Sequence, residues 1–185
     1  MNILKTILYS TAILLLSPLL LSAQSSAKHI SKKEYYDLYN SIYRGDTEEV
    51  LLSDFPATKN ILKDTSEIFS DTFFSSKDKI FMLAQLNNAK HFRWKNGEIN
   101  HKKILNHRKI SRVFRKGVNG WGKFYSMYGE GFARYSIPIF SFNRCFCIVY
   151  TSYHCGGLCG GGGTCLYQKI GNEWVYIKRY SGWIS

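Results

Sequence analysis

The sequence predicts an α+β fold, with N-terminal helices packed on a C-terminal antiparallel β-meander. Residues 31–88 carry apolar positions at helical spacing behind cap residues. Residues 134–181 carry β-branched and aromatic runs punctuated by turn signals. Helices first and strands later is the α+β arrangement, not the alternation of βα units. Hydrophobic residues at 45% and aromatics at 16% supply a core and exclude a disordered chain. No period repeats along the chain, which excludes a solenoid.

The first residues stand apart from the fold. Lys5 precedes the apolar run "TILYSTAILLLSPLLLSAQ", which ends on the small residues Ser22 and Ala23. This pattern is read as a signal peptide, residues 1–23, with cleavage after Ala23. Pro18 interrupts the run, whose length sits at the lower limit for a bilayer span, so no transmembrane anchor is expected once it is removed. The expected product is an exported chain (periplasmic, at the cell surface or secreted) whose residues 24–185 form one domain.

In "SKKEYYDLYNSIYRG", Ser31 and Glu34 have capping-box spacing. Tyr35, Leu38, Tyr39 and Ile42 form one apolar stripe, and Gly45 is placed to end the helix. "DTEEVLLSDFP" predicts a second short helix, with Asp46 as N-cap and Pro56 as its stop. "TKNILKDTSEIF" predicts a further turn or two. Ser75 or Ser76 caps a helix over 77–88, with Ile80, Leu83, Ala84 and Asn87 on one face. Residues 90–123 resist assignment; Ile99, Ile104, Ile110 and Val113 are anchors, and Arg112–Arg115 reads as a strand. Four strands follow: "RYSIPIFSF", held to a sheet edge by Pro138, then "RCFCIVYTSY", "TCLYQKI" and "EWVYIKRY". Gly171-Asn172 joins the last two as a two-residue hairpin. Phe140, Ile148, Tyr150, Leu166, Val175 and Ile177 are the core candidates.

The formal charge of the whole chain is +12, unevenly spread. Residues 90–123 hold eleven Lys or Arg against one acid, Glu98. Lys102, Lys103, Arg108, Lys109, Arg112, Arg115 and Lys116 are therefore candidate contacts for a polyanion, with Phe92, Trp94 and Phe114 interleaved. No nucleic-acid-binding motif accompanies them, so an anionic envelope component or an acidic protein is the expected partner class, not nucleic acid. The same charge also serves plain solubility.

All five cysteines lie between 145 and 165. Cys145 and Cys147 sit two apart in a strand, too far apart at their Cα atoms for a comfortable bridge. Cys155, Cys159 and Cys165 are the disulfide candidates, in any of three pairings, and the odd count leaves one thiol over. The predicted loop around them comprises His154, Gly156, Gly157, Leu158 and Gly160. A zinc knuckle from His154, Cys155, Cys159 and Cys165 has no standard spacing, and His91, His101 and His107 form no compact metal motif. The glycines open onto no helix and no Gly-Lys-Ser/Thr, which argues against a phosphate cradle. No metal and no cofactor is expected.

The tail resembles a family of exported bacterial proteins of unknown function. Their pattern is S-x-P-x-F-S, a strand, C-G-x-L-C-G-x-G, a strand, then a tryptophan. The matching residues are Ser136, Pro138, Phe140, Ser141, Cys155, Gly156, Leu158, Cys159, Gly160, Gly162 and Trp174. Asn172–Glu173 departs from the family's step before the tryptophan, and Ser76, Asp78 and Gln85 echo a family helix. The resemblance spans residues 76–185 and implies export but no activity. The leading expectation is a non-enzymatic binding or structural module with a disulfide-stapled Gly/Cys loop. The alternatives are a thiol-dependent envelope enzyme and a polyanion-binding protein acting through the basic segment.

Overall fold

A computed structural model of the chain describes residues 29–115 and 119–185; the predicted signal peptide, residues 1–23, and Lys116 lie outside them. The chain divides into two units, Met1–Ser31 and Lys32–Ser185, and the fold below is that of the second.

Helix α1, Lys32–Ile42, buries Leu38 and Tyr39 of its predicted stripe. Strand β1, Val50–Ser53, stands where the sequence predicts a helix. Its aliphatic run pairs in parallel with β2, Lys102–Leu105, on one side and β3, Phe132–Tyr135, on the other. Distant partners override a weak local helix signal here. A 3₁₀ helix, Thr58–Asp64, leads into α2, Thr65–Ser70.

Helix α3, Ser76–Asn88, begins with a complete capping box: Ser75 Oγ accepts from the Asp78 amide at 3.2 Å and the Asp78 carboxylate accepts from the Ser75 amide at 2.9 Å. Its buried face is not the predicted one. Met82, Gln85 and Leu86 point inward, while Ile80 is 71% exposed and Leu83 is exposed. Gln85 sets that rotation. Its side-chain NH₂ donates to the Phe140 carbonyl at 2.7 Å and its oxygen accepts from the Phe140 amide at 2.9 Å.

The predicted strand over Arg112–Arg115 is the end of helix α4, His107–Arg115, and α5, Gly120–Tyr128, follows. The remaining strands are β4, Ile139–Phe140, β5, Phe146–Gly156, β6, Cys159–Ile170, and β7, Glu173–Ile184. They complete a seven-stranded sheet of order β2-β1-β3-β5-β6-β7, with β4 paired to β5. The meander from β3 to β7 is antiparallel, and a parallel wing of β1 and β2 extends it. "RYSIPIFSF" is not one edge strand. It breaks around Pro138 into β3, inside the sheet, and the two-residue β4.

Gly171, at φ +60°, turns β6 into β7, with Ile170 paired to Glu173 as predicted. Two register shifts follow, between Thr164 and Cys165 and between Leu166 and Tyr167, and each leaves an extra residue in β7. They re-aim this edge strand. Val175 is exposed and Ile177 half-buried, against the predicted core, whereas Phe140, Ile148, Tyr150 and Leu166 are buried.

Helices cover both sheet faces. Phe132 and Tyr135 lie three apart on β3 and so face opposite ways. Tyr39 of α1 stacks on Tyr135 at 4.7 Å, whereas Phe124 of α5 meets Phe132 at 5.3 Å. The second face holds a cluster of Leu105, Ile110, Val113, Phe124 and Phe132.

Candidate functional site

Two places gather the predicted site residues, the β5–β6 hairpin tip and the outer side of α4, and a third candidate is a cleft on the Tyr135 face of the sheet.

At the tip, Cys155 and Cys159 are joined by a disulfide across a Cα separation of 5.0 Å, one of the three expected pairings. Cys155 is the extra residue of a bulge between the His154–Gly160 and Gly156–Cys159 pairs. The turn itself is only Gly157–Leu158, and Leu158 is almost wholly exposed. The predicted loop is thus mostly strand: Gly160 pairs with His154 of β5, and Gly161, Gly162 and Gly163 pair with both β5 and β7. The Tyr125 hydroxyl of α5 donates to the Cys155 carbonyl and ties the tip to the helices.

His154 serves packing. Its ring lies 5.3 Å from both Phe132 and Trp183, and its Nε2 is 3.1 Å from Ser152 Oγ. Burial, then the nearby Arg134 charge, lowers its pKa, so the ring is neutral at pH 7.

Cys155 and Cys159 spend their sulfurs on each other, which removes them as nucleophiles and as zinc ligands. Cys165, the third disulfide candidate, is a free, buried thiol, as is Cys147; Cys145 is free and exposed. Burial raises the pKa of both buried thiols, the reverse of what a nucleophilic cysteine needs. Among the described residues, no three His, Cys, Asp or Glu side chains gather in metal-binding geometry. A thiol reagent added to native protein should therefore label Cys145 alone. Cys147 and Cys165 should react on unfolding, and Cys155 and Cys159 only after reduction; peptide mapping after differential alkylation checks each step.

Helix α4 is built by its flanks. Asn106 Oδ1 accepts from the Arg108 amide at 2.9 Å, and Asp54 Oδ1 accepts from the His107 amide at 2.6 Å. A carboxylate at the N-terminus and Arg112 and Arg115 in the last turn suit the helix dipole. His107 is held by Asp54, at 3.0 Å from its Nδ1, and by the Phe55 ring. Ile110 and Val113 face the core. Arg108, Lys109, Arg112 and Arg115 are exposed, and 100° per residue places them within an arc of about 120° opposite that core face. Lys103 is also exposed, on β2. None of these five cations forms an ion pair among the described residues.

Lys102 must be withdrawn from the polyanion set. Its side chain is 1% exposed, its Nζ is 3.1 Å from Asp46 Oδ2, and it sits over the Tyr43 ring. Phe92 and Trp94 are buried as well, packed 4.8 Å apart, so neither offers a stacking surface.

Sequence reading missed the cleft. It holds about 420 Å³ and is lined by Tyr43, Lys102, Tyr135, Thr151, Arg179 and Trp183, among others. Tyr43 and Tyr135 stack along its wall, with Tyr39 stacked on both of them in the core. Burial raises the Tyr43 and Tyr135 pKa values, and the Tyr43 hydroxyl is hydrogen-bonded to Thr151 and Tyr135. Arg179 reaches the Cys165 thiol. No sequence signal marks the cleft: continuing the Ile170–Glu173 register would set Gly163 opposite Tyr180, and only the two register shifts bring Gly182 there, which clears space for a long side chain.

No protein-family model matches this chain, and neither the curated proteins nor the solved structures contain a match.

Proposed function

We propose that this chain is an exported, non-enzymatic binding module that docks on an anionic envelope component through the outer side of α4. One observation carries the reading: four exposed cations share one stripe of a helix whose other side is core, with no acidic partner among the described residues. A solvated face normally mixes both signs, because like charges on neighbouring turns repel. A row of unpaired cations repels itself, and a polyanion relieves that repulsion. Lys103 widens the patch from the neighbouring strand. Export itself is supported by the N-terminal apolar pattern, by the Cys155–Cys159 bond and by the tail's likeness to exported bacterial proteins. The stapled tip stiffens the end of the β5–β6 hairpin next to the helices.

The test is co-sedimentation with vesicles containing phosphatidylglycerol, against vesicles of phosphatidylcholine alone. Binding is expected only to the anionic vesicles, falling steeply with salt. Arg112→Gln with Arg115→Gln should weaken it about 30-fold, at roughly fivefold per cation. Binding that ignores salt, or that survives the double variant unchanged, rejects the reading.

A further inference from the structure

We propose that the cleft on the Tyr135 face is a binding site for a small organic carboxylate, with the Arg179 guanidinium as its anchor. The argument begins with the glycines. A Cβ on Gly182 would stand 3.0 Å from Arg179 Cδ and 3.1 Å from its Nη1, and one on Gly163 would stand 3.3 Å from Cδ. Two facing glycines therefore form a seat in which the arginine stem lies along the sheet. A seated stem loses little further rotamer freedom when its head binds, which is the condition for an effective anchor.

Charge decides the ligand class. Lys102 and Asp46 neutralise each other at the cleft wall, whereas Arg179 has no acidic partner among the described residues. The surplus is a single positive charge, matched by a monoanion rather than a phosphate dianion. A planar guanidinium fits a planar carboxylate with two parallel hydrogen bonds. The rest of the ligand is chosen by the walls: Tyr153 and Ile184 present exposed apolar surface, while the Trp183 indole packs on His154 on the other sheet face, its N–H already committed to the Tyr150 hydroxyl at 2.9 Å. The Tyr43 hydroxyl is likewise committed to Thr151 and Tyr135. The free hydrogen-bond donors of the cleft are therefore those Arg179 keeps beyond its contact with the Cys165 thiol, and the volume of about 420 Å³ suits a body of one or two rings.

This site is separate from the outer side of α4, so the two readings fail separately. The experiment is calorimetric titration of the disulfide-intact chain with indole-3-acetate and benzoate, and with their neutral amides. The carboxylates are expected to bind at least tenfold more tightly than the amides. Arg179→Gln should remove that difference, and Arg179→Lys, which keeps the charge but not the fork, should restore only part of it. Both variants should keep the parent's thermal melt within a few degrees and its vesicle binding. The α4 double variant should bind the carboxylates like the parent. Equal binding of acid and amide, no binding of either acid, or unchanged affinity in Arg179→Gln overturns the proposal.

Discussion

Gln85→Leu is expected to destabilise the fold by about 4 kcal/mol, read as a fall in the urea midpoint at unchanged slope. The side chain fills two roles at once. It donates to the Phe140 carbonyl and accepts from the Phe140 amide, and both residues are buried. Leucine is nearly the same size, so little packing is lost. What is lost is the partner of a buried N–H and of a buried C=O, at about 1–3 kcal/mol each. The loss falls on a large part of a small domain's stability. Gln85→Glu supplies the control. A protonated carboxyl still offers one donor and one acceptor, so the variant should be only mildly destabilised at low pH. Its folded-state pKa must then lie above its unfolded value. The penalty therefore grows as pH rises past the ordinary glutamate value of about 4.3. A Leu variant within 1 kcal/mol of the parent would show that the Phe140 contact contributes little.

The same residue shows why the helix was legible and its face was not. Ser75 and Asp78 stand three apart, so the start of α3 could be read locally. Apolar periodicity favours turning Ile80 and Leu83 inward, but Phe140, 55 residues on, offers a strand end whose backbone needs a donor and an acceptor. A hydrogen-bond requirement created by tertiary structure has no local trace. Strand β1 is a similar case, since its partners begin at Lys102 and Phe132. The Gly171 turn needed no such information, because a two-residue hairpin declares itself in the chain.

The candidate sites divide in the same way. Cysteine crowding limited the disulfide to three pairings, and Cys155–Cys159 is one of them. The basic stretch was visible as charge, but its arrangement was not. Arg112–Arg115 alternates like a strand when read alone, and only the Asp54 and Asn106 caps with the Ile110–Val113 spacing make it helical. Lys102 looked like its neighbours because Asp46, which neutralises it, lies 56 residues earlier.

Gly162→Ala is expected to cost about 3 kcal/mol, and Gly162→Val more, whereas Gly157→Ala should change stability by less than about 0.5 kcal/mol. The contrast follows from location, since all three add methyl groups to one glycine-rich stretch. Gly162 sits inside β6, paired with Ser152 on one side and Trp183 on the other. A Cβ there would meet Ser152 Cβ at 2.5 Å, the Thr151 carbonyl oxygen at 2.7 Å and Ser152 Cα at 3.0 Å. Two of these atoms are backbone, and the third is fixed to it, so no rotamer change relieves the clash. Relief requires β5 and β6 to separate, which breaks ladder hydrogen bonds at the centre of the sheet and disturbs the Ser152–His154 contact. Gly157 lies in the turn with nothing within 4 Å of an added Cβ and no positive φ. Glycine normally weakens a strand, so a run of four in β6 is tolerable only where neighbours occupy the vacated volume. Ser152 takes that volume at Gly162, and the Ser181 carbonyl, with the Arg179 stem beyond it, takes it at Gly163. Equal stability losses at Gly162 and Gly157 would mean that the run acts through chain flexibility and not through close packing of the sheet.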